Sequence, residues 1–221
     1  PHALTGHIVV PGFAGGTANT EFDVLTGMQT NALSAATTSS FRVVNRNLDS
    51  LFRVFGGDGY HTSFFHPGDD WFYNRENINV NLGFEDYRFV ENYFSPMTDG
   101  GVGYDDLFFP ELIKLWEQDK ALGQPVFQYN LTYQGHGPYN DDVTWWGDDY
   151  VVNDKDYTQA ELNILNNYFG SVYNTNQNLT AFFDYFREEE EPVVIVVFGD
   201  HNPWLGDGNS VYEAIGLDLD F

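Results

Sequence analysis

Apolar residues along this chain follow two alternating patterns, one with helical spacing and one of short continuous runs. Helical spacing predicts helices at residues 17–25, 47–55 and 105–122, and one or two helices at 158–187. Short runs predict strands at residues 60–65, 126–132 and 192–198, with a further apolar run at 8–10. This order of elements predicts an α/β fold with a largely parallel central sheet flanked by helices. Residues 67–75 and 141–157 are predicted loops, the second of them acidic.

Two of the predicted helices carry end signals in the sequence. Thr17 is predicted at the cap position of the first helix, and Gly27 lies just beyond its end. Gly56 and Gly57 are predicted to close the second helix, because glycine readily takes the backbone conformation that ends a helix.

The segment at residues 192–198 is the clearest predicted strand. Its run of β-branched residues is typical of a strand buried on both faces in a parallel sheet. Asp200 and His201 follow it directly, and a carboxylate oxygen beside an imidazole nitrogen makes a suitable ligand pair for a divalent metal. Taken alone, the same two residues fit an ordinary turn equally well.

Three histidines, His66, His136 and His201, each follow a predicted strand. Since the carboxyl ends of parallel strands share one edge of a sheet, these side chains are expected to gather there. A single histidine after a strand is usually a polar turn residue, but three in equivalent positions favour a common site. We assign the other histidines to structural or surface positions, namely His2, His7 and His61.

Thr17 is the candidate nucleophile. Gly15 and Gly16 allow close approach to the backbone, and a helix start supplies free N–H groups that favour an anion. A hydroxyl needs a base or a metal to activate it, and a plain helix cap is the commoner role for such a residue. Arg75 lies among aromatic residues, where it suits anion recognition or, alternatively, a surface ion pair.

Composition restricts the classes of partner. The 33 acidic and 9 basic residues give a formal charge of −24, which disfavours nucleic acid and anionic lipid headgroups as general partners. The absence of cysteine excludes a disulfide framework and thiolate chemistry. A length of 221 residues fits one domain over residues 1–221. No apolar run approaches the ~18 residues of a transmembrane helix, and the start at Pro1 predicts a piece of a longer protein.

Four motifs cover residues 15–206. The first is Gly15-Gly16-Thr17-Ala18-Asn19-Thr20-Glu21-Phe22, and the second runs from Phe65-His66 to Phe72-Tyr73-Asn74-Arg75. The third is Tyr133-Gln134-Gly135-His136-Gly137-Pro138-Tyr139, and the fourth is Phe198-Gly199-Asp200-His201-Asn202-Pro203-Trp204. In this order they resemble the motifs of the lipoteichoic acid synthase and phosphoglycerol transferase group. That group belongs to the sulfatase-like branch of the alkaline phosphatase superfamily.

The resemblance implies a role for each matched residue. Thr17 would be the nucleophile and a metal ligand, and Asp200 and His201 would be further metal ligands. The substrate-binding residues would be His66, Arg75 and His136, with Tyr73 in a place where the family often has tryptophan. The metal would be a divalent ion, Mn²⁺ in typical members, with Mg²⁺ or Zn²⁺ as alternatives.

The resemblance also implies an activity and a location. Glycerol phosphate would pass from phosphatidylglycerol, through a phosphoglycerol-threonine intermediate, to the hydroxyl of a glycerol-phosphate polymer or glycolipid. The full-length protein would be anchored in the membrane, with this domain on the extracellular face of the bacterial cell. Alternatives are a phosphoethanolamine transferase, a sulfatase-type hydrolase, for which the needed cysteine or serine is missing, and a non-catalytic carbohydrate- or lipid-binding module. The last is suggested by Trp71, Trp145, Trp146 and Trp204.

Family members also carry a metal-binding glutamate on a strand upstream of the nucleophile, and further sheet and helix after the fourth motif. The chain is therefore expected to be a catalytic-domain fragment that is incomplete at both ends. Three protein ligands in place of four should weaken metal binding, and the fragment is expected to be of low activity or inactive by itself.

Overall fold

The structure is a computed structural model that describes residues 3–33, 41, 44–98, 101–217 and 219. The helices are α1 (Thr17–Thr26), α2 (Leu51–Gly57), α3 (Arg75–Leu82), α4 (Asp105–Lys120), α5 (Gln159–Arg187) and α6 (Ser210–Ala214). The strands are β1 (His61–Phe65), β2 (Asp86–Arg88) and β3 (Val126–Asn130). Short helical turns lie at Thr30–Ala32, Phe72–Asn74, Val90–Phe94, Ser95–Met97 and Asp207–Asn209. None of the helices in these residues is long and apolar enough to cross a bilayer.

The sheet has the strand order β2-β1-β3, and both pairings are parallel. Ser63 of β1 pairs with Asp86 of β2, and His61 pairs with Val126 of β3. The carboxyl ends of these strands therefore lie at one edge of the sheet, with their amino ends at the other. The predicted α/β fold with a parallel sheet is confirmed.

Successive residues of β1 contribute to different hydrophobic layers, because side chains along a strand alternate between its two faces. Phe64 packs in one cluster with Phe22 of α1, Phe52 of α2 and Leu82 of α3. Phe65, on the opposite face, packs with a second cluster that includes Phe108 and Leu112 of α4 and Phe182 of α5. A third cluster joins α5 to α6 through Leu165, Leu205 and Val211. Helices thus cover both faces of the sheet.

The observed helix ends refine the sequence prediction. Helix α1 begins at Thr17 with Gly16 as its cap, so the prediction of Thr17 as the cap residue is wrong. Gly16 has a φ of 93°, a left-handed conformation that glycine adopts without the steric cost of a side chain. Gly27, with a φ of 69°, ends the helix as predicted.

Helix α2 begins four residues later than predicted and includes Gly56 and Gly57 within its last turn. The hydroxyl of Ser50 caps its start by accepting the Arg53 N–H at 3.2 Å. Residues 158–187 form the single helix α5, in which Thr158 and Glu161 make a reciprocal capping box.

The predicted strand at residues 192–198 is wrong. The segment pairs with no strand in the described part of the chain, and its side chains are open to solvent, with Val194 88% and Val196 76% exposed. A strand is defined by its ladder partner, so β-branched composition alone does not form one. The buried environment predicted for this run is absent here.

The sequence prediction missed α3 and β2. Helix α3 has only a weak apolar stripe, and its first residue, Arg75, falls within the segment predicted as a loop. Strand β2 is only three residues long, Asp-Tyr-Arg, and has no apolar run to reveal it. This segment is a strand because it pairs with β1, and its composition alone does not indicate a strand.

Candidate active site

Thr17, Asp200 and His201 lie together although 184 residues separate the first from the last. Thr17 Oγ1 is 3.4 Å from His201 Nε2, and the same nitrogen is 3.4 Å from Asp200 Oδ2. Both distances are long for a hydrogen bond. His201 Nε2 thus lies near both oxygens, close to the start of α1.

Backbone contacts fix the loop at residues 200–202 to the start of α1. The Thr20 hydroxyl donates to the Asp200 carbonyl at 2.6 Å, and the Ala14 N–H donates to the Asn202 carbonyl at 3.0 Å. Phe13 and Asn202 form an isolated parallel bridge. The nucleophile candidate and the two ligand candidates are therefore held by the same short-range contacts.

The tautomer of His201 follows from its second ring nitrogen. Nδ1 lies 2.8 Å from the Asn202 carbonyl oxygen, which can only accept, so Nδ1 carries the proton. Nε2 therefore presents its lone pair to the Asp200 carboxylate. A lone pair and a carboxylate facing each other at this distance repel unless a proton or a metal cation lies between them, and ligands of a tetrahedral ion with bonds of about 2.1 Å are about 3.4 Å apart. The three residues fit a divalent metal.

The loop before Thr17 needs its glycines. Ala14, Gly15 and Gly16 have φ angles of 56°, 146° and 93° in succession. A side-chain carbon at Gly12 would lie 2.5 Å from the Gly15 carbonyl oxygen, which leaves no room for one. No side chain in the described residues caps α1. The Asn19 N–H donates to the Gly16 carbonyl at 2.8 Å, and the positive end of the helix dipole lies at Thr17, where it favours an anion.

His66 follows β1 and is almost fully buried. Its Nδ1 lies 2.9 Å from the Leu131 carbonyl, so Nδ1 carries the proton and Nε2 is an acceptor. Burial, and next the Arg75 guanidinium, lower the pKa of His66 to about 3. The ring is consequently neutral at physiological pH. A side-chain carbon at Gly68 would lie 2.5 Å from Nε2, so only glycine leaves this nitrogen free.

His136 follows β3 and is exposed. Its ring stacks on Tyr133 with centroids 5.3 Å apart, and Tyr133 lies 6.0 Å from the ring of His66. The neighbouring Gln134 anchors this loop, accepting the Asp105 N–H at 3.1 Å and donating to the Ser171 carbonyl at 3.1 Å. The two histidines thus form a pair joined through one aromatic ring.

Arg75 is 1% exposed and lies beneath α1. Its Nη2 is 2.5 Å and its Nε 3.4 Å from the Glu21 carboxylate, and its Nη1 donates to the Phe72 carbonyl at 3.2 Å. Glu21 is one helical turn beyond Thr17. Sequence reasoning did not single it out as a site residue, although its position four residues after Thr17 places it on the same face of α1.

Tyr73 is half-buried and has an unusual backbone, with φ angles of 57° at Tyr73 and 62° at Asn74. The Arg75 guanidinium lies 5.2 Å from the centre of its ring. Burial raises the pKa of the Tyr73 phenol, while Arg75 and the Gly16 backbone act in the opposite direction. The phenol is therefore a neighbour of the loop that carries Thr17 and stays protonated at neutral pH.

The structure thus brings Thr17, Asp200 and His201 into direct contact and places Tyr73 beside their loop. His66 and His136 form a second group, and Arg75 affects the pKa of His66 from its position under α1. The gathering of strand-end histidines was predicted from β1 and β3 and from the segment at 192–198. The structure brings His66 and His136 together and places His201 against Thr17, and the convergence of all three histidines on one site stays a prediction.

Comparison with known proteins gives a consistent family. The Sulfatase family model matches residues 3–217. A protein of Rhizobium meliloti (strain 1021), named as a candidate cyclic beta-1,2-glucan modification protein, is 30% identical over 96% of this chain and 32% of its own length. Lipoteichoic acid synthase 1 of Bacillus subtilis (strain 168) is 28% identical over 73% of this chain and 25% of its own length.

A solved structure shows the same fold. The phosphoglycerol transferase GacH of Streptococcus pyogenes, in complex with sn-glycerol-1-phosphate, matches with a TM-score of 0.72 and 23% identity. The match covers 90% of this chain and 52% of that one. The chain spans a third or less of the length of the two curated relatives. Because the family model covers almost all of its residues, the chain belongs to the Sulfatase family.

Proposed function

We propose that this chain carries the catalytic face of a phosphoglycerol transferase that uses Thr17 as its nucleophile. The observation that carries the proposal is that His201 Nε2 lies 3.4 Å from Thr17 Oγ1 and 3.4 Å from Asp200 Oδ2. The relatives named as lipoteichoic acid synthase and phosphoglycerol transferase support this reaction class.

The reaction has two balanced transfers. Thr17 Oγ1 attacks the phosphorus of phosphatidylglycerol, the bond from phosphorus to the diacylglycerol oxygen breaks, and the proton lost by Thr17 is balanced by the one that diacylglycerol gains. An acceptor hydroxyl then attacks the phosphoglycerol-threonine, and the Thr17 oxygen recovers a proton. The positive end of the α1 helix dipole, at Thr17, stabilises the negative charge on the phosphoryl oxygens during both transfers.

A divalent metal, Mn²⁺ by family resemblance, would be held by Thr17, Asp200 and His201, and would supply positive charge that lowers the pKa of the Thr17 hydroxyl and stabilises the phosphoryl oxygens. The tautomer of His201 prepares its Nε2 for this role, since the Asn202 carbonyl holds the proton on Nδ1.

His66 suits the glycerol part of the headgroup. Its Nε2 is a neutral acceptor, so it pairs with a hydroxyl donor and not with a phosphate oxygen. Exposed His136 and the phenol of Tyr73 supply further polar contacts at the same edge. Arg75 acts as a fixed positive charge beneath the site, because Glu21 already occupies its guanidinium.

The proposal leaves two candidate headgroups, phosphoglycerol and phosphoethanolamine, and two candidate acceptors. Phosphoethanolamine carries an ammonium group that Nε2 of a neutral His66 can also accept from, so this headgroup is the nearer rival. The Rhizobium meliloti relative favours a glucan hydroxyl as acceptor, and the lipoteichoic acid synthase favours a glycerol-phosphate polymer. By family resemblance, the reaction would take place on the extracellular face of the bacterial cell membrane.

The test uses the full-length protein with Mn²⁺ and three labelled donors, namely phosphatidylglycerol, phosphatidylethanolamine and an aryl sulfate ester. We expect diacylglycerol release from phosphatidylglycerol and a phosphoglycerol adduct on the peptide that contains Thr17, detected by mass spectrometry. Faster turnover of the ethanolamine lipid would reassign the headgroup. Absence of an adduct on Thr17 during turnover would overturn the proposed nucleophile.

A further inference from the structure

A second group of metal-ligand side chains lies at the amino end of the sheet. His61 begins β1, Asp86 begins β2 and Asp119 is in the last turn of α4. One ligand atom from each lies within 4.8 Å of those of the other two. His61 is five residues, or about 16 Å along the chain, from His66 at the carboxyl end. This group therefore has no part in the site around Thr17.

The tautomer of His61 repeats the arrangement seen at His201. Its Nδ1 lies 3.0 Å from Glu85 Oε2, and a carboxylate acceptor there favours a proton on Nδ1. Nε2 then turns its lone pair toward Asp119 Oδ1 at 3.5 Å. That distance exceeds an ordinary hydrogen bond but equals, within a few tenths of an ångström, the separation of about 3.4 Å between ligands of one tetrahedral ion.

The Asp119 carboxylate is fixed through hydrogen bonds to one of its oxygens, while its other oxygen has no hydrogen-bond donor among the described residues. Its side chain is 7% exposed, and its Oδ2 accepts the Ser63 hydroxyl at 2.8 Å and the Gln128 amide at 3.5 Å. Its Oδ1 accepts no hydrogen bond in the described part of the chain and meets only His61 Nε2. A buried carboxylate oxygen aimed at an imidazole lone pair is costly unless a cation lies between them.

The local charge also requires a cation. Glu85, Asp86 and Asp119 contribute three carboxylates, while Arg88, whose Nη2 is 2.8 Å from Asp86 Oδ2, supplies the single full positive charge that contacts them. Among the described residues these carboxylates outnumber the guanidinium that contacts them, and a divalent ion would reduce the excess negative charge. Arg88 holds one oxygen of Asp86 and leaves the other for a metal.

We propose that His61, Asp86 and Asp119 bind a divalent cation of the Zn²⁺ type, with Glu85 orienting the imidazole from behind. One imidazole and two carboxylates provide three protein ligands, and water completes a tetrahedral shell. The Ser63 hydroxyl is committed to Asp119 and is fully buried, so this hydroxyl does not serve as a nucleophile at the ion. The ion would tie β1, β2 and α4 together and have a structural role.

The test separates this site from the one around Thr17. An Asp200→Asn/His201→Gln background removes the ligands of the first site, and Zn²⁺ alone is added before extensive dialysis and metal analysis. Since the chain is strongly acidic, the control variant Asp148→Asn removes an equivalent charge from an exposed loop. We expect about one Zn²⁺ per chain in the background and in the control, falling at least about tenfold in His61→Gln and in Asp119→Asn.

A second readout guards against misfolding of the Asp119 variant. His61 is 14% exposed, so His61→Gln should fold and is compared with its background by circular dichroism and by the rise in melting temperature on adding Zn²⁺. A Zn²⁺-dependent rise in the background that His61→Gln lacks supports the site. Equal zinc content in the background and in His61→Gln overturns it, whatever activity the Thr17 site shows.

Discussion

At both ends of the sheet a histidine nitrogen faces an aspartate oxygen, and we propose a catalytic role for one end and a structural role for the other. At the carboxyl end, His201 Nε2 faces Asp200 at 3.4 Å, and at the amino end His61 Nε2 faces Asp119 at 3.5 Å. In both places an acceptor behind Nδ1 fixes the tautomer, the Asn202 carbonyl in one and Glu85 in the other. The ligand geometry alone therefore does not distinguish a catalytic centre from a structural one.

The difference lies in the hydroxyl and in what surrounds it. Thr17 opens helix α1 at the positive end of the helix dipole, whereas Ser63 lies in mid-strand, buried and bonded to Asp119. A nucleophile needs a reachable oxygen and stabilisation of the charge that develops on phosphorus. Only the carboxyl end offers both.

Removing the hydroxyl at each end, one at a time, should give the largest difference in transfer rate between the two ends. Thr17→Ala should lower phosphoglycerol transfer by about four orders of magnitude, because the covalent step loses its oxygen. Ser63→Ala should change the transfer rate by less than about threefold, although it loses a hydrogen bond worth about 1 kcal/mol in the free energy of unfolding. Labelled diacylglycerol release measures the first effect and chemical denaturation the second. Equal activity of wild type and Thr17→Ala would remove the distinction between the two ends.

His66 should give the carboxyl end a sensitivity to acid. Its folded pKa of about 3 lies below the ordinary value of 6.5, so the unfolded chain binds the proton first. Its contribution to stability is complete above pH 6.5 and is lost as the pH falls toward 3, by about 5 kcal/mol at most. The free energy of unfolding of wild type, minus that of His66→Asn, should fall over this range. A constant difference would contradict a neutral His66.

The buried ion pair of Arg75 and Glu21 under α1 should make the main contribution to stability at the carboxyl end of the sheet. Glu21→Gln leaves the Arg75 charge buried without its carboxylate and should cost about 4 kcal/mol in the free energy of unfolding. The control Glu76→Gln, on the exposed face of α3, should cost less than about 0.5 kcal/mol. The double change Glu21→Leu/Arg75→Met should lose less than the single one. If the double variant is the less stable, the ion pair is not the source of the cost.

Asp105 gives the opposite dependence on pH, behind the His136 loop. Burial raises the pKa of its carboxyl to about 6 from 3.8, against the effect of the Thr175 hydroxyl bonded to it. A raised pKa contributes stability below pH 3.8 that is lost as the pH rises through 6. Relative to Asp105→Asn, wild type should therefore lose about 3 kcal/mol at most between pH 4 and pH 7. The neighbouring exposed residue supplies the control, since Asp106→Asn should show no such change.

Sequence reasoning selected candidate site residues that lie close to one another in space, but it misassigned the segment that precedes Asp200 and His201. It singled out Thr17, His66, His136, Asp200 and His201, and the structure places them in two groups, Thr17 with Asp200 and His201, and His66 with His136. It predicted a strand at residues 192–198 that pairs with nothing in the described chain, because a ladder needs a neighbour that composition cannot reveal.

Arg75 shows a second limit of sequence reasoning. Its surroundings in the sequence are aromatic and polar, which suggested an exposed fork for an anion or a surface ion pair. The structure buries the guanidinium against Glu21, 54 residues earlier in the chain. His61 was placed with the structural or surface residues, and no nearby motif marked it, because its partners come from β2 and α4.

The sequence by itself determined the fold class, the family motifs and the residue types available for phosphoryl transfer, because periodicity and short motifs are local properties of the chain. The tertiary structure alone decided which imidazole nitrogen is free, which carboxylate balances Arg75 and where a second cation can bind. Each of these depends on atoms a few ångströms apart in space and many residues apart in sequence, and folding alone sets those distances.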